Sequence, residues 1–376
     1  MSAFYPPVQY REILVQILGC NYGSASYMIA GSLLVFAGFG CGGKNDAVRI
    51  NAGGSSFVNP IMEKWSASFK ESNGAEINYT KSGSTDGIKQ MSVKTKDFGC
   101  TDVPMTKEET DAAKKEGGDV IHIPVAMGAV AVIYNIPGID KQLILDGKTL
   151  ADIYLSKINS WNDQAIADLN PELKGKLPSI PIILVVRAEG SGTTKIFTEF
   201  LSKSNSEFKE KIGAKSSPKW GKAGLEQQGN DGIAGFVEKN AGAIGYVELY
   251  YATKFKISFA RILNRKGKAL APDDEGAVAA AAEAAMNAPP KEEPYSLHEL
   301  TFSMTDIDAD SAYPICGITY AVLYAKQPEK KGKTIAQFLK WATTDGQQFA
   351  KGLGYAPLPA ELAKKCHARL DQLKFE

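Results

Sequence analysis

The chain has 376 residues, of which 44% are hydrophobic and 23% charged, with a formal net charge of +1 at pH 7. That length holds two domains with proper cores, the composition is that of an ordinary soluble globular protein, and the balanced charge offers no bulk attraction for nucleic acid or an acidic membrane. Three histidines, and five cysteines without a CxxC pair, argue against a His-rich metal site, zinc and thioredoxin-like chemistry, so no metal is expected.

Between residues 13 and 43 no side chain is charged. The most apolar part, residues 28–40, is too short for a comfortable transmembrane span and has the length of a signal-peptide core. It ends at Cys41-Gly42-Gly43-Lys44-Asn45-Asp46. A cysteine after small residues, followed by a polar tether, resembles a bacterial lipoprotein signal, with residues 1–47 as signal and tether and Cys41 as the acylated residue. Gly38 stands where that pattern usually has leucine, and the upstream cation Arg11 is neighboured by Glu12. The expectation is an exported chain, periplasmic or at the cell surface, touching the membrane only through an N-terminal lipid anchor. A noncleaved apolar anchor helix is the alternative.

Residues 47–52 read as a strand closing on Gly53-Gly54-Ser55-Ser56-Phe57, and Ile61, Met62, Trp65 and Phe69 mark a helix after it. Residues 77–79 are the next strand, closing on Lys81-Ser82-Gly83-Ser84, with helical spacing again over 88–93. Residues 97–102 form a third strand with Asp102 at its end. The apolar run 121–134 contains Pro124 and Gly128 and is too long for one simple strand; it could carry the chain from a first domain to a second. Residues 182–186 are a buried strand, followed by Arg187-Ala188-Glu189-Gly190-Ser191-Gly192-Thr193 and a helix through Phe197, Phe200 and Leu201. Residues 221–232 read as a polar loop ending Gly229-Asn230-Asp231-Gly232, before a short helix over 233–238 and a strand over 243–247. The Ala-rich stretch 276–288 is a helix by propensity. Residues 313–324 are a second apolar strand able to return the chain to the first domain, and helical patterns follow at 335–343 and 347–353.

A strand, a Gly-Ser turn and a helix start thus recur at Ser56, Ser84 and Ser191. The first N–H groups of a helix lack partners inside it and carry partial positive charge, which suits an anion. Arg187 adds a planar fork that can hold two oxyanion oxygens at once. For one such turn, a capped surface helix beside an Arg187–Glu189 ion pair explains the residues equally well. Three turns, joined by Arg187 and Asp102 at strand ends, are better explained as the walls of one pocket. Alternating strands and helices give an α/β fold with parallel sheets, whose ligands lie beyond the carboxyl ends of the strands. Asn230 and Asp231 shape a loop near that cleft, Trp65, Trp161 and Tyr313 read as core, and Lys89 and Lys195 are expected to face solvent. Both a Cys100–Cys316 disulfide and free thiols are compatible with the sequence.

Assembled, these stretches resemble the phosphate-binding proteins of bacterial ABC phosphate importers. The resemblance rests on Gly53-Gly54-Ser55-Ser56-Phe57, Gly83-Ser84 with Gly87-Ile88-Lys89-Gln90, Asp97-Phe98-Gly99-Cys100-Thr101-Asp102, Arg187 through Thr193, and Gly229-Asn230-Asp231-Gly232 through Glu248. Tyr355-Ala356-Pro357-Leu358-Pro359 matches the family's C-terminal signature. The blocks occur in the family's order over residues 48–360.

The resemblance implies a two-domain periplasmic-binding-protein fold (type II) with two hinge crossovers and a ligand cleft. Residues 48–134 and 312–376 would form domain 1, and residues 135–311 domain 2. The implied phosphate contacts are Ser56, the Phe57 N–H, Ser84, Asp102, Arg187, Ser191, the Gly192 N–H and Thr193. Glu189 replaces the family's aspartate, leaving open whether it orients Arg187 or is a surface substitution of no consequence; Val58 stands where proline is usual. The implied function is a binding protein delivering inorganic phosphate to ABC permease subunits, without cofactor, catalytic residue or nucleic-acid partner. A receptor for sulfate or molybdate and a phosphatase are the competing functions. Against the phosphatase, no nucleophile is paired with histidine and no His/Asp cluster has two-metal spacing. A P-loop NTPase is disfavoured because GxxxxGK[ST] is absent.

Overall fold

Strand ends organise this structure. The computed structural model describes residues 47–221, 224–288, 290 and 293–376. The expected signal, Cys41 and the tether up to residue 46 lie outside the described residues. In chain order the first elements are β1 (Arg49–Gly54), α1 (Asn59–Asn73), β2 (Glu76–Lys81), α2 (Ser84–Ser92), β3 (Phe98–Thr101), α3 (Lys107–Gly117) and β4 (Val120–Tyr134). There follow β5 (Ile144–Leu145), α4 (Gly147–Tyr154), α5 (Gln164–Leu169), β6 (Ile183–Arg187), α6 (Gly192–Ser204), α7 (Ser206–Lys211), β7 (Gly224–Gln227), α8 (Gly229–Lys239), β8 (Ala243–Glu248) and α9 (Leu249–Lys254). The chain ends with β9 (Arg261–Leu263), β10 (Ala269–Leu270), α10 (Glu275–Asn287), β11 (Cys316–Tyr324), β12 (Lys326–Gln327), α11 (Glu329–Ala342), α12 (Ala360–Leu370) and β13 (Lys374–Phe375).

Eight strands form one sheet in the order β2-β1-β3-β11-β4-β8-β6-β7. β1, β2 and β3 are mutually parallel, as are β6, β7 and β8, while β11 and β4 run against their neighbours. β4 is the shared spine. Its residues up to Ala129 pair with β11, and Val130 to Tyr134 pair with β8. The apolar run expected to be too long for one strand is therefore a single strand. It stays continuous because the register shifts between Thr319 and Tyr320, opposite Ala126 and Pro124, so a bulge absorbs the proline that cannot donate to a ladder. The Val125 carbonyl accepts instead from Gln347 Nε2 at 3.1 Å.

Through this spine the two parallel groups point their carboxyl ends towards one another. β3 ends at Thr101, opposite Tyr320, and β8 ends at Glu248, opposite Val130. On β4 the facing positions are Pro124, paired with Tyr320, and Val130. They are six residues apart, about 20 Å at strand rise before the bulge shortens it. The carboxyl ends of the six parallel strands thus point towards one region of the sheet, from either side of the middle of β4.

The core covers both faces of this sheet. Ile61, Met62, Trp65 and Phe69 line the buried face of α1, and Trp65 Nε1 donates to the Gly346 carbonyl at 2.8 Å. Trp161 Nε1 reaches the Gly242 carbonyl at 2.9 Å and Tyr313 the Val130 carbonyl at 3.0 Å, so all three aromatics are core residues. Cys100 and Cys316 are free and buried. They pair with Ala321 and Ala129. Residues 316 and 321 lie five positions apart on β11, about 16 Å, far beyond disulfide reach.

Three local expectations are corrected. The polar stretch before residue 229 contains β7, which pairs in parallel with β6 from Leu184↔Gly224 to Arg187↔Gln227. Gly224, Glu226 and Gln227 with a lone Leu225 carry no strand signal; the open edge of β6 supplies the ladder. The sequence Gly229-Asn230-Asp231-Gly232 is the first turn of α8 and not a loop. In addition, residues 345–349 and 351–353 are short 3-10 turns in place of an α-helix.

Candidate functional site

Each strand end contributes a polar group. After β1, Gly54 at φ +125° turns the chain so tightly that a Cβ there would sit 2.1 Å from the Cys100 carbonyl oxygen. Ser55, Ser56 and Phe57 follow, and three tyrosines hold their successive carbonyls. Tyr79 donates to Ser55 O at 2.7 Å, Tyr251 to Ser56 O at 3.0 Å and Tyr355 to Phe57 O at 2.5 Å. The turn is thereby fixed from three distant parts of the chain. Ser56 lies in this turn, not at the N-cap of α1, which is Val58. Ser84 is the first residue of α2, and Ser191 is the N-cap of α6, accepting from the Thr194 N–H at 3.2 Å.

Asp102 follows β3 and is buried. Its Oδ1 accepts from Ser55 Oγ and from Thr319 Oγ1, both at 2.6 Å, and its Oδ2 from Ser84 Oγ at 3.0 Å. Burial pushes its carboxyl above the ordinary aspartate value, opposed by these three hydroxyls and by the charge of Arg187. Three of roughly four acceptor directions of the carboxylate are occupied by hydroxyls.

Arg187 ends β6 with its side chain only 1% exposed. Nε donates to Glu189 Oε1 at 2.9 Å, Nη2 pairs with the same oxygen, and Nη2 also reaches Ser56 Oγ at 3.1 Å. Glu189 in turn accepts from the Gly229 N–H at 3.2 Å. Glu189 is therefore a positioning group for the guanidinium, tied to the start of α8. Nη1 of Arg187 is buried without a hydrogen-bond partner. A buried donor on a charged group left in this state costs more than the roughly 1–3 kcal/mol of a neutral one, a cost that an anion seated against it would relieve.

The two groups of strand ends touch. A Cβ on Gly192 would lie 2.4 Å from Ser84 Oγ and 2.5 Å from Asp102 Oδ2, and the Thr85 N–H donates to the Gly190 carbonyl at 3.3 Å. At the rim, Lys81 and Asp231 form an ion pair of 2.9 Å. Beside it a cavity of about 350 Å³ is lined by Ser56, Lys81, Gly83, Glu189 and Asp231. Ser56, Phe57, Ser84, Asp102, Arg187, Ser191, Gly192 and Thr193 all lie at these converging strand and helix ends and are all buried. The Phe57 N–H donates to Ser55 Oγ at 3.0 Å. Lys89 is exposed as expected, whereas Lys195 Nζ is bound to the Ala214 carbonyl at 2.9 Å and does not simply face solvent. Among the described residues, no group of three or more His, Cys, Asp or Glu side chains could hold a metal ion.

Comparison with known proteins shows the family. The sequence matches the PBP superfamily domain over residues 42–346. It is 36% identical over 325 residues to the phosphate-binding protein PstS of Xylella fastidiosa (strain 9a5c), covering 86% of this chain and 85% of that protein. The chain belongs to the PstS family. Its member from Methanocaldococcus jannaschii is 34% identical over 333 residues, covering 85% of both chains. Among solved structures, a high affinity periplasmic phosphate-binding protein (PfluDING) bound with phosphate matches with a TM-score of 0.66 at 18% identity, covering 85% of this chain and 93% of that one. A human phosphate binding apolipoprotein matches at 20% identity with the same TM-score and coverage. The fold is thus the α/β fold of periplasmic phosphate-binding proteins.

For this PstS-family chain, sequence reasoning missed Ser55, Thr319 and the three tyrosines, and underrated Asn230. The one available signal was for Thr319, a hydroxyl in a strand otherwise apolar and buried from end to end. The tyrosines give none, because a Tyr that reaches a distant carbonyl is spaced like any core aromatic. Gly192 yields a direct test. Gly192→Ala is expected to weaken anion binding at least about a hundredfold, because the methyl meets Asp102 and Ser84 before the strand ends can meet. Titration calorimetry on the variant checks it, with circular dichroism to confirm folding.

Proposed function

We propose that this chain is an extracytoplasmic substrate-binding protein that captures inorganic phosphate and delivers it to the permease subunits of an ABC-type phosphate transporter. The observation that carries the reading is Arg187, a buried cation with an unpartnered Nη1 beside the buried carboxylate of Asp102. A site with donors alone would take any oxyanion. An ionised carboxylate among them accepts a hydrogen bond from phosphate, which keeps one or two protons at neutral pH, and repels sulfate, which keeps none. In this reading Arg187, Ser56, Ser191, Thr193 and the Gly192 N–H attract the anion, Ser84 and the Phe57 N–H join them by turning from Asp102 and Ser55, to which they donate here, and Asp102 selects its protonation state. The domains over 48–134 with 312–376 and over 135–311 act as the halves of a clamp. The names of the relatives support the ligand, and their being binding proteins supports a role without catalysis. Export and acylation at Cys41 complete the proposal, with mass spectrometry of the mature N-terminus as their check.

Calorimetry of the purified chain tests the ligand. Phosphate is expected to bind one to one, with sulfate and molybdate at least about a hundredfold weaker, the effect of one unsatisfied buried charge. Equal affinity for sulfate would make the protein a general oxyanion receptor. Turnover of a phosphomonoester in the same preparation would make it an enzyme.

A further inference from the structure

Asn230 stands in the first turn of α8 and is fully buried. Its Nδ2 lies 3.1 Å from Ser56 Oγ, and its Oδ1 accepts from the Glu248 backbone N–H at 3.2 Å. A backbone N–H can only donate, so it holds the amide with its oxygen towards β8 and its NH2 towards Ser56. Ser56 Oγ is also 3.1 Å from Arg187 Nη2. Neither a guanidinium nor an amide NH2 can accept a hydrogen bond. A hydroxyl has two lone pairs and one proton, and here both lone pairs are taken. The Ser56 proton must therefore leave along the third direction.

The neighbouring hydroxyls differ. Ser55 and Ser84 both spend their protons on Asp102. We propose that Asn230, which does not itself touch the anion, is a positioning residue that fixes Ser56 as an obligate hydrogen-bond donor to a bare oxygen of the bound oxyanion. The cleft is then polarised, with a donor corner at Ser56 and Arg187 and an acceptor corner at Asp102. The ligand class that fits is a tetrahedral oxyanion carrying at least one proton and at least one bare oxygen. The inference rests on the phosphate reading of the cleft.

A double-mutant cycle in phosphate calorimetry tests it. Ser56→Ala and Asn230→Ala are each expected to weaken binding about tenfold, the worth of one hydrogen bond to a charged group. In the Ser56→Ala background, Asn230→Ala should add less than about twofold, because the proton it directs is gone. Ser56→Thr, which keeps the hydroxyl, should restore the full effect of Asn230→Ala. Asn230→Leu, close to asparagine in shape, repeats the cycle without opening a cavity. Losses that multiply in the double variants would show that Asn230 acts only on the packing of α8 and would overturn the proposal alone. Failure of the unaltered protein to bind phosphate would overturn the reading of the cleft and this inference with it.

Discussion

Arg187→Ala is expected to lower phosphate affinity about a thousandfold while the protein stays folded, the loss typical of removing one partner from a buried charge pair. The side chain is 1% exposed at the end of β6, where water cannot screen it. Glu189 takes the edge formed by Nε and Nη2, which leaves Nη1 without a partner. An oxyanion meeting Nη1 would gain charge-assisted bonds at low dielectric, and alanine forfeits all of them. Stability should not suffer in proportion. Without ligand the arginine carries a desolvation cost that alanine does not, and Glu189 keeps the Gly229 N–H and 15% exposure. Thermal melts should therefore show an unliganded Tm unchanged or raised, and no further rise on adding phosphate. In the unaltered protein, phosphate at a thousand times Kd should add about 4 kcal/mol to stability. An affinity retained within tenfold in Arg187→Ala would place the pocket elsewhere.

Asp102→Asn is expected to bring phosphate and sulfate to within about tenfold of each other, chiefly by letting sulfate in, since an unpaired buried charge no longer opposes it. The amide fits the existing partners. Its oxygen can accept from Ser55 and Thr319 as Oδ1 does, while its NH2 can donate to Ser84, which already accepts from the Asp102 N–H. What changes is the sign of the remaining direction, from acceptor to donor. The pH dependence follows the same logic. Burial raises the Asp102 carboxyl above its ordinary value, and only the ionised form accepts a proton from the ligand. As pH falls through that raised value the carboxyl gains a proton and becomes a donor, so discrimination against sulfate is present above it and fades below it. In Asp102→Asn the ratio of the two affinities should depend far less on this titration. Competition calorimetry across acid and neutral pH separates the cases, and undiminished rejection of sulfate by the variant would remove Asp102 from this role.

Much of the site is legible locally. Ser191 and Thr194 are three residues apart, and that spacing alone makes the helix cap. Arg187 and Asp102 stand out as charged residues at the ends of apolar strands. Strand β7 was not legible, because its stretch has no strand signal and exists through the edge of β6. The continuity of β4 was not legible either, since Pro124 reads as an interruption until the bulge opposite Thr319 and Tyr320 is known. The clamp on residues 55–57 depends on Tyr355, 298 positions away from the carbonyl it holds. No periodicity reports a contact of that range.

By itself the sequence determined the alternation of strands and helices, the turns that end them, and the charges placed at those ends. Each follows from side-chain spacing and backbone chemistry within a few residues. Tertiary structure alone decided what those groups do to one another. It pointed the carboxyl ends of six strands towards one region of the sheet, bound Glu189 to Arg187, and set three hydroxyls on Asp102. Hydrogen-bond roles such as that of Ser56 are fixed by which donors surround an oxygen in space, and the order of residues along the chain does not encode that directly.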